Sequence, residues 1–187
     1  MKHVTVLAVL TTAMLLGCAP KQEQPREPLI PPPTTYSIPT PTAPQSYTPV
    51  KTPEQQAAEE VVAEYFRLKN IVKQDPEADM EPLYAIVVGD LLENELALLE
   101  QYREDHVVQS GEFTFAIQGS RRQQDGTVQV AACTDASTID LVDQDTGESI
   151  LDPNRPFIKQ WKIQTRQVGE TWKVADLNTQ DAEQCAP

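Results

Sequence analysis

Glu112–Cys133 reads EFTFAIQGSRRQQDGTVQVAAC, and the reading of the fold turns on this stretch. Phe113, Phe115 and Ile117 alternate with Glu112, Thr114 and Ala116. Val128, Val130 and Ala132 alternate with Gln129, Ala131 and Cys133. A period of two puts each apolar set on one face of a strand. Asp125-Gly126 between the two runs is a hairpin signal. Downstream, Phe157 to Val168 alternates again, with Trp161 and Ile163 on one side and Lys162 and Gln164 on the other. Gly169-Glu170 then turns into Thr171-Trp172-Lys173-Val174, the last strand. Ile139–Val142 either prolongs the central strand or begins another short one.

Upstream of His106 the period is that of helices. Thr52 is an N-cap, Pro53 suits the first helical position and Glu54 favours the positive helix end. Ala58, Val61, Val62, Tyr65, Phe66, Leu68 and Val72 keep helical spacing, while Glu59, Glu60, Glu64, Arg67 and Lys69 fill the other side. A shorter helix is expected over Met80–Val88, broken by Gly89. Asp90 then caps a third helix from Leu91 to Glu104, with Leu92, Leu96 and Leu99 as its buried face. Helices followed by antiparallel strands predict an α+β domain, N-terminal helices packed on one face of a curved antiparallel sheet.

This domain, residues 53–187, is preceded by two segments of different character. Met1-Lys2-His3 is a basic start, and Val4–Leu16 is an uncharged, mostly apolar run of 13 residues. A membrane-spanning helix needs about 20 apolar residues, so the run reads as the core of a signal peptide. Leu15-Leu16-Gly17-Cys18 closes it and resembles the bacterial lipobox. That resemblance implies removal of residues 1–17, acylation of Cys18 (the palmitate-type anchor of a lipoprotein) and a location on the extracytoplasmic face of the cell membrane. Two or more acyl chains hold far longer than one, at about 0.8 kcal/mol per buried methylene. Residues 18–52 form a Pro-rich tether. Eleven of the chain's 16 prolines lie between Pro20 and Pro53. Such a tract buries too little apolar surface to offset chain ordering, and about 30 extended residues span on the order of 90 Å.

The chain's 15 Lys+Arg stand against 28 Asp+Glu, a formal charge of −13 over 187 residues. The domain itself carries 11 basic and 26 acidic side chains. Phosphate affinity comes from Lys and Arg, so a nucleic-acid partner is not expected.

The order of elements, with the ending Gly-Glu-Thr-Trp-Lys-Val-Ala-Asp (Gly169–Asp176), resembles the nuclear transport factor two-like superfamily. The resemblance implies a cystatin-style cone, a curved sheet wrapped around helices with an open cavity. It makes Tyr65, Phe113, Phe115, Trp161 and Trp172 candidates for lining that cavity. The chain also resembles a set of exported actinobacterial lipoproteins of unassigned role, some carried on phages and mobile elements. The shared features are Cys133-Thr134-Asp135, the turn Asp143–Gly147, a Trp in the last hairpin and Cys185. In this chain no short strand pair is evident between the first and third helices.

With Cys18 acylated, Cys133 and Cys185 remain, and an even pair in an exported domain reads most simply as a disulfide. Free thiols or a metal pair are the rival readings. Against metal, His106 is the domain's only histidine and no Cys-x-x-Cys occurs. Asp140, Asp143, Asp145 and Glu148 lack the EF-hand order. Ser110, Ser120, Ser137 and Ser149 lack a nucleophile-elbow context. Some superfamily enzymes use Asp, His or Tyr inside the cone, and Tyr65 sits where a Tyr donor occurs in ketosteroid-isomerase-like members, yet no matching acidic base is evident. The sequence therefore predicts a non-enzymatic, cofactor-free binding domain displayed in the cell envelope, serving an envelope protein partner or a small apolar ligand, with a mobile-element role as one variant. The alternative is a small-molecule enzyme, isomerase- or dehydratase-like, working in the cone cavity.

Overall fold

The computed structural model describes residues 50–185. The expectations for residues 1–49, including the leader, Cys18 and nearly all of the tether, lie outside the described residues. Helix α1 (Pro53–Gln74) begins with a capping box: Gln55 N–H donates to Thr52 Oγ1, and Thr52 N–H donates to Gln55 Oε1. Its apolar stripe, Ala58, Val62, Tyr65, Phe66, Leu68 and Val72, is buried as the spacing predicts. Lys69 departs from the expectation. It lies on the buried side, one turn after Tyr65, and is only 9% exposed.

Helix α2 (Glu81–Ile86) is shorter than expected. Val87 leaves it to form a parallel bridge with Val174, and Val88 N–H donates to the Val174 carbonyl at 2.9 Å. Two β-branched residues before a glycine favour extended backbone over another helical turn. Helix α3 (Asp90–Glu104) takes Gly89 as its N-cap, at φ 73°, a conformation that glycine adopts without steric cost. Asp90 is therefore the first helical residue and not the cap; no side chain caps this end. The buried face is also turned from the expected one. Glu95 and Leu99 are buried, while Leu92 and Leu96 are half-buried.

Six strands follow. β1 (Val107–Ser110) and β4 (Asp140–Asp143) form an antiparallel pair of their own. β2 (Thr114–Arg122), β3 (Val128–Asp135), β5 (Ile158–Val168) and β6 (Thr171–Ala182) form an antiparallel sheet in the order β2-β3-β5-β6. The segment after Ile139 thus begins a separate strand and does not prolong β3. Two irregularities bend the main sheet. The register shifts between Ile117 and Gly119 on β2, where Gly119 takes φ 138°. It shifts again between Gln164 and Thr165, opposite Ala175 of β6. Bulges on both outer strands increase local twist and curl the sheet. All four strands accordingly touch α1.

The core lies between the helices and the concave face. Val128, Val130 and Ala132 of β3, Ile163 of β5 and Val174 of β6 meet Val62, Tyr65 and Phe66 of α1, with Leu83, Val87 and Leu99 closing the sides. The predicted architecture, helices on one face of a curved antiparallel sheet, is the one observed. Cys133 points away from this core by strand alternation. Its Sγ lies 1.99 Å from Cys185 Sγ, with Cα atoms 5.6 Å apart. Among the described residues no helix is long and apolar enough to cross a membrane.

Candidate functional site

Between the second half of α1 and the near ends of β3 and β5 lies a slot of about 210 Å³. Phe66, Lys69 and Lys73 face it from α1, at the spacing that aligns side chains along one helix face. Lys159 and Trp161, two apart on β5, face it from the sheet, with Thr134 of β3 beside them. Phe113, Ala136 and Ile139 complete its apolar wall.

Polar groups nearby are spent on holding these walls. Asn70 Nδ2 donates to the Phe113 carbonyl at 3.0 Å, and Phe113 N–H donates to Asn70 Oδ1 at 3.2 Å. Gln109 Nε2 donates to Asn70 Oδ1 and to the Gly111 carbonyl, each at 3.0 Å. The segment between β1 and β2 is thereby fixed, and Phe113 sits edge-on to Phe66 with centroids 5.9 Å apart. Phe66 also meets Phe115 at 5.2 Å and Trp161 at 5.4 Å. Trp161 Nε1 donates to Thr134 Oγ1 at 2.9 Å, which fixes the indole against the wall. Arg155 donates to the carbonyls of Ala136 and Ile139 at 3.2 and 2.9 Å and lies over the Phe157 ring, pinning the loop that forms the slot's far side. Gly111 belongs to the same scaffold. At φ 77°, a Cβ there would stand 2.2 Å from the Thr138 carbonyl oxygen, so only glycine fits.

Behind the slot α1 and α3 share a buried ionic cluster. Lys69 Nζ donates to Glu95 Oε1 at 2.7 Å and to Tyr65 Oη at 3.1 Å, and Tyr65 Oη donates to the same Glu95 Oε1 at 2.5 Å. Glu95 is 5% exposed and Tyr65 0%. Burial by itself would raise the Glu95 carboxyl. The Lys69 charge and the hydrogen bonds from Lys69 and Tyr65, helped by Lys73, outweigh it and hold the carboxyl below its ordinary value. Tyr65 is pushed up, first by burial and then by the Glu95 charge and hydrogen bond, so its proton stays on. Glu95 Oε2 is buried without a hydrogen-bond partner among the described residues. Lys73 differs from Lys69. It lies over the Tyr102 ring, 5.2 Å from the centroid, and makes no ion pair among the described residues. Burial, then repulsion from Lys69, lowers its ammonium to about 8, with Glu95 acting in the opposite sense.

The five residues named as cavity-lining candidates are distributed unevenly. Phe113 and Trp161 line the slot, and Phe113 and Phe115 line a second hollow on the other side of α1, of about 460 Å³. Tyr65 lines neither; its hydroxyl is committed to Glu95. Trp172 lines neither and packs half-buried against the core. Sequence reasoning missed Lys69, Lys73 and Glu95. The available signal was the pair Tyr65 and Lys69, one turn apart, facing an acid placed three residues after Leu92 and four before Leu99. His106, at φ 53°, turns the chain from α3 into β1, and its Nδ1 lies 2.9 Å from Asp145 Oδ2. The loop carboxylates are similarly committed: Asp143 Oδ1 accepts from the N–H groups of Asp145 and Thr146, and Asp140 Oδ1 accepts from Ser149 Oγ.

Fold and site together describe a curved-sheet α+β domain with a small apolar slot supplied with lysine ammonium groups. The crystal structure of the intermembrane space region of the chloroplast protein ARC6 matches it with a TM-score of 0.55 at 13% identity, over 71% of this chain and 100% of that one. A ketosteroid isomerase-like protein from Erwinia carotovora atroseptica matches with a TM-score of 0.47 at 15% identity, over 72% of this chain and 100% of that one. The first likeness speaks to the fold and to nothing else; the second, at that score, adds nothing to it. No protein-family model and no curated protein sequence matches the chain.

Proposed function

We propose that this chain is a lipoprotein, held on the extracytoplasmic face of a cell membrane through acylated Cys18, whose domain binds a partner or small ligand and does not catalyse a reaction. The anchor rests on the sequence of residues 1–18 and on the Pro-rich tract that follows. The binding reading is carried by one observation: among the described residues no carboxylate, histidine or thiol lines the slot. The acid behind it, Glu95, is ion-paired and held in its charged form. A general base near neutral pH needs the opposite, a carboxyl raised towards about 7.

The alternative, an enzyme working on a small molecule in the slot, gains one specific support. Lys73 is an amine lowered to about 8 in apolar surroundings, a condition suited to proton transfer or attack on a carbonyl. It stands alone, because Tyr65 and Glu95 are committed to each other. The actinobacterial affiliation and a mobile-element role belong to the same proposal and rest on the quoted sequence features.

Cys18→Ser tests the anchor. The substitution is expected to move the protein out of the membrane fraction or leave its leader uncleaved, as read by fractionation and immunoblotting. Unchanged membrane retention with a processed leader would overturn it.

A further inference from the structure

We propose that the slot between α1 and β5 binds a small monocarboxylate with an apolar body, the carboxylate received by Lys73 together with Lys69 and the body packed on Phe66, Phe113 and Trp161. The inference deepens the binding reading above and rests on it.

Charge distribution is the first support. The domain carries 26 acidic and 11 basic side chains, yet among the described residues the slot is lined by three lysines and no acid. A random draw from this surface would favour carboxylates, so the slot is a local reversal of sign. The second support is the state of the donors. Lys159 is answered by Asp181 at 3.0 Å at a partly exposed site. Two of the three Lys69 N–H groups go to Glu95 and Tyr65, which leaves one. Lys73 makes no hydrogen bond or ion pair among the described residues and lies over the Tyr102 ring. Thr134 Oγ1 accepts from Trp161 and so keeps its own hydrogen to donate. Donors without acceptors, next to an apolar wall, define an anion with an apolar body.

Size narrows the class. About 210 Å³ holds on the order of ten non-hydrogen atoms at ordinary packing density. That excludes a full lipid or a sterol and admits a medium-chain or aryl carboxylate. The cluster behind the slot has a positioning part in this arrangement: Glu95 fixes the Lys69 ammonium in place and leaves Lys73 to meet the ligand.

The test titrates the full chain with octanoate and with 3-phenylpropionate, following Trp161 fluorescence and the carboxylate carbon by NMR. Octan-1-ol and octylamine serve as neutral and cationic counterparts. Saturable one-to-one binding of at least one carboxylate is expected, with the alcohol weaker by roughly tenfold or more and the amine not bound. Lys73→Gln is expected to weaken binding by roughly tenfold, and Lys73→Arg to retain most of it. Ala136→Leu, which fills the slot without altering charge, abolishes binding if the site is where we place it. The groups facing Lys73 are Lys69 on its own helix, Glu95 and Tyr102 on α3, and Lys159 across the slot; affinity should fall as pH rises through about 8, where Lys73 loses its proton while the ligand stays ionised.

Equal affinity for octanoate and octan-1-ol, undiminished binding by Lys73→Gln, or no saturable binding of either carboxylate would overturn the assignment. None of these results would alter where Cys18→Ser sends the protein, so the slot and the anchor fail independently. Chemical conversion of a probe, visible in the same NMR spectra, would instead overturn the non-catalytic reading.

Discussion

Glu95→Gln is expected to cost the domain roughly 3–5 kcal/mol, the usual penalty for removing one member of a buried ion pair. In a domain of this size that corresponds to a fall of about 10–15 °C in melting temperature. The reason is what remains. Lys69, 9% exposed, keeps its position on α1 but loses the carboxylate that accepted its hydrogen bond at 2.7 Å. Tyr65, fully buried, exchanges a charged acceptor for a neutral amide oxygen in the same substitution. The pH dependence should change as well. In the native chain the Glu95 carboxyl is lowered on folding, so its contribution is complete above the unfolded value and lost as pH falls through the folded one. In Glu95→Gln that loss of stability on acidification should be absent, because no carboxyl remains there to be protonated. Replacing both charges, Lys69→Met with Glu95→Leu, should recover most of the loss, because an apolar pair of similar volume often matches a buried ion pair. Thermal melts of the native chain and the two variants across pH decide the matter. A single Glu95→Gln variant within about 1 kcal/mol of the parent would contradict the role given to the cluster.

Reduction of the Cys133–Cys185 bond is the second large effect. The bridge closes a loop with a sequence separation of 52, and loop-closure entropy for that length is worth about 4 kcal/mol. It ties the chain end after β6 to Cys133 on the face of β3 remote from the helices. Cys133 is completely buried, so its reduced thiol stays covered until the tail lifts. Reductant is expected to lower the melting temperature of the native chain and to leave that of Cys185→Ser, already lowered, unchanged. Equal melting with and without reductant in the native chain would show that the link contributes nothing.

The sheet was legible in the sequence because its alternation is strict where one face is buried. Phe113, Phe115 and Ile117 on one run are half-buried, and Val128, Val130 and Ala132 on the next are buried, so the alternation marks the face turned to the helices. The Thr52–Gln55 box and the α1 stripe were legible for the same reason: local chemistry and global packing agree there. Other features depend on partners distant in the chain. β1 is four residues long, and its partner β4 lies some 30 positions later, so neither carries a periodic signal of its own. α2 stops early because Val87 finds Val174 on the last strand. The ionic cluster was hidden by the ordinary assumption that charges on an amphipathic helix face water. Lys69 and Glu95 defeat that assumption jointly, each tolerable in the interior only because the other is there. Lys73 and the slot follow from them, and nothing in composition or spacing would have singled them out.

Where this protein resides depends most on the covalent state of one residue, Cys18. Intact-mass and peptide mass spectrometry of the protein extracted from its native host should find a mature chain that begins at Cys18 and carries acyl groups on it. An unmodified polypeptide retaining Met1–Gly17 in the cytosolic fraction would contradict the account.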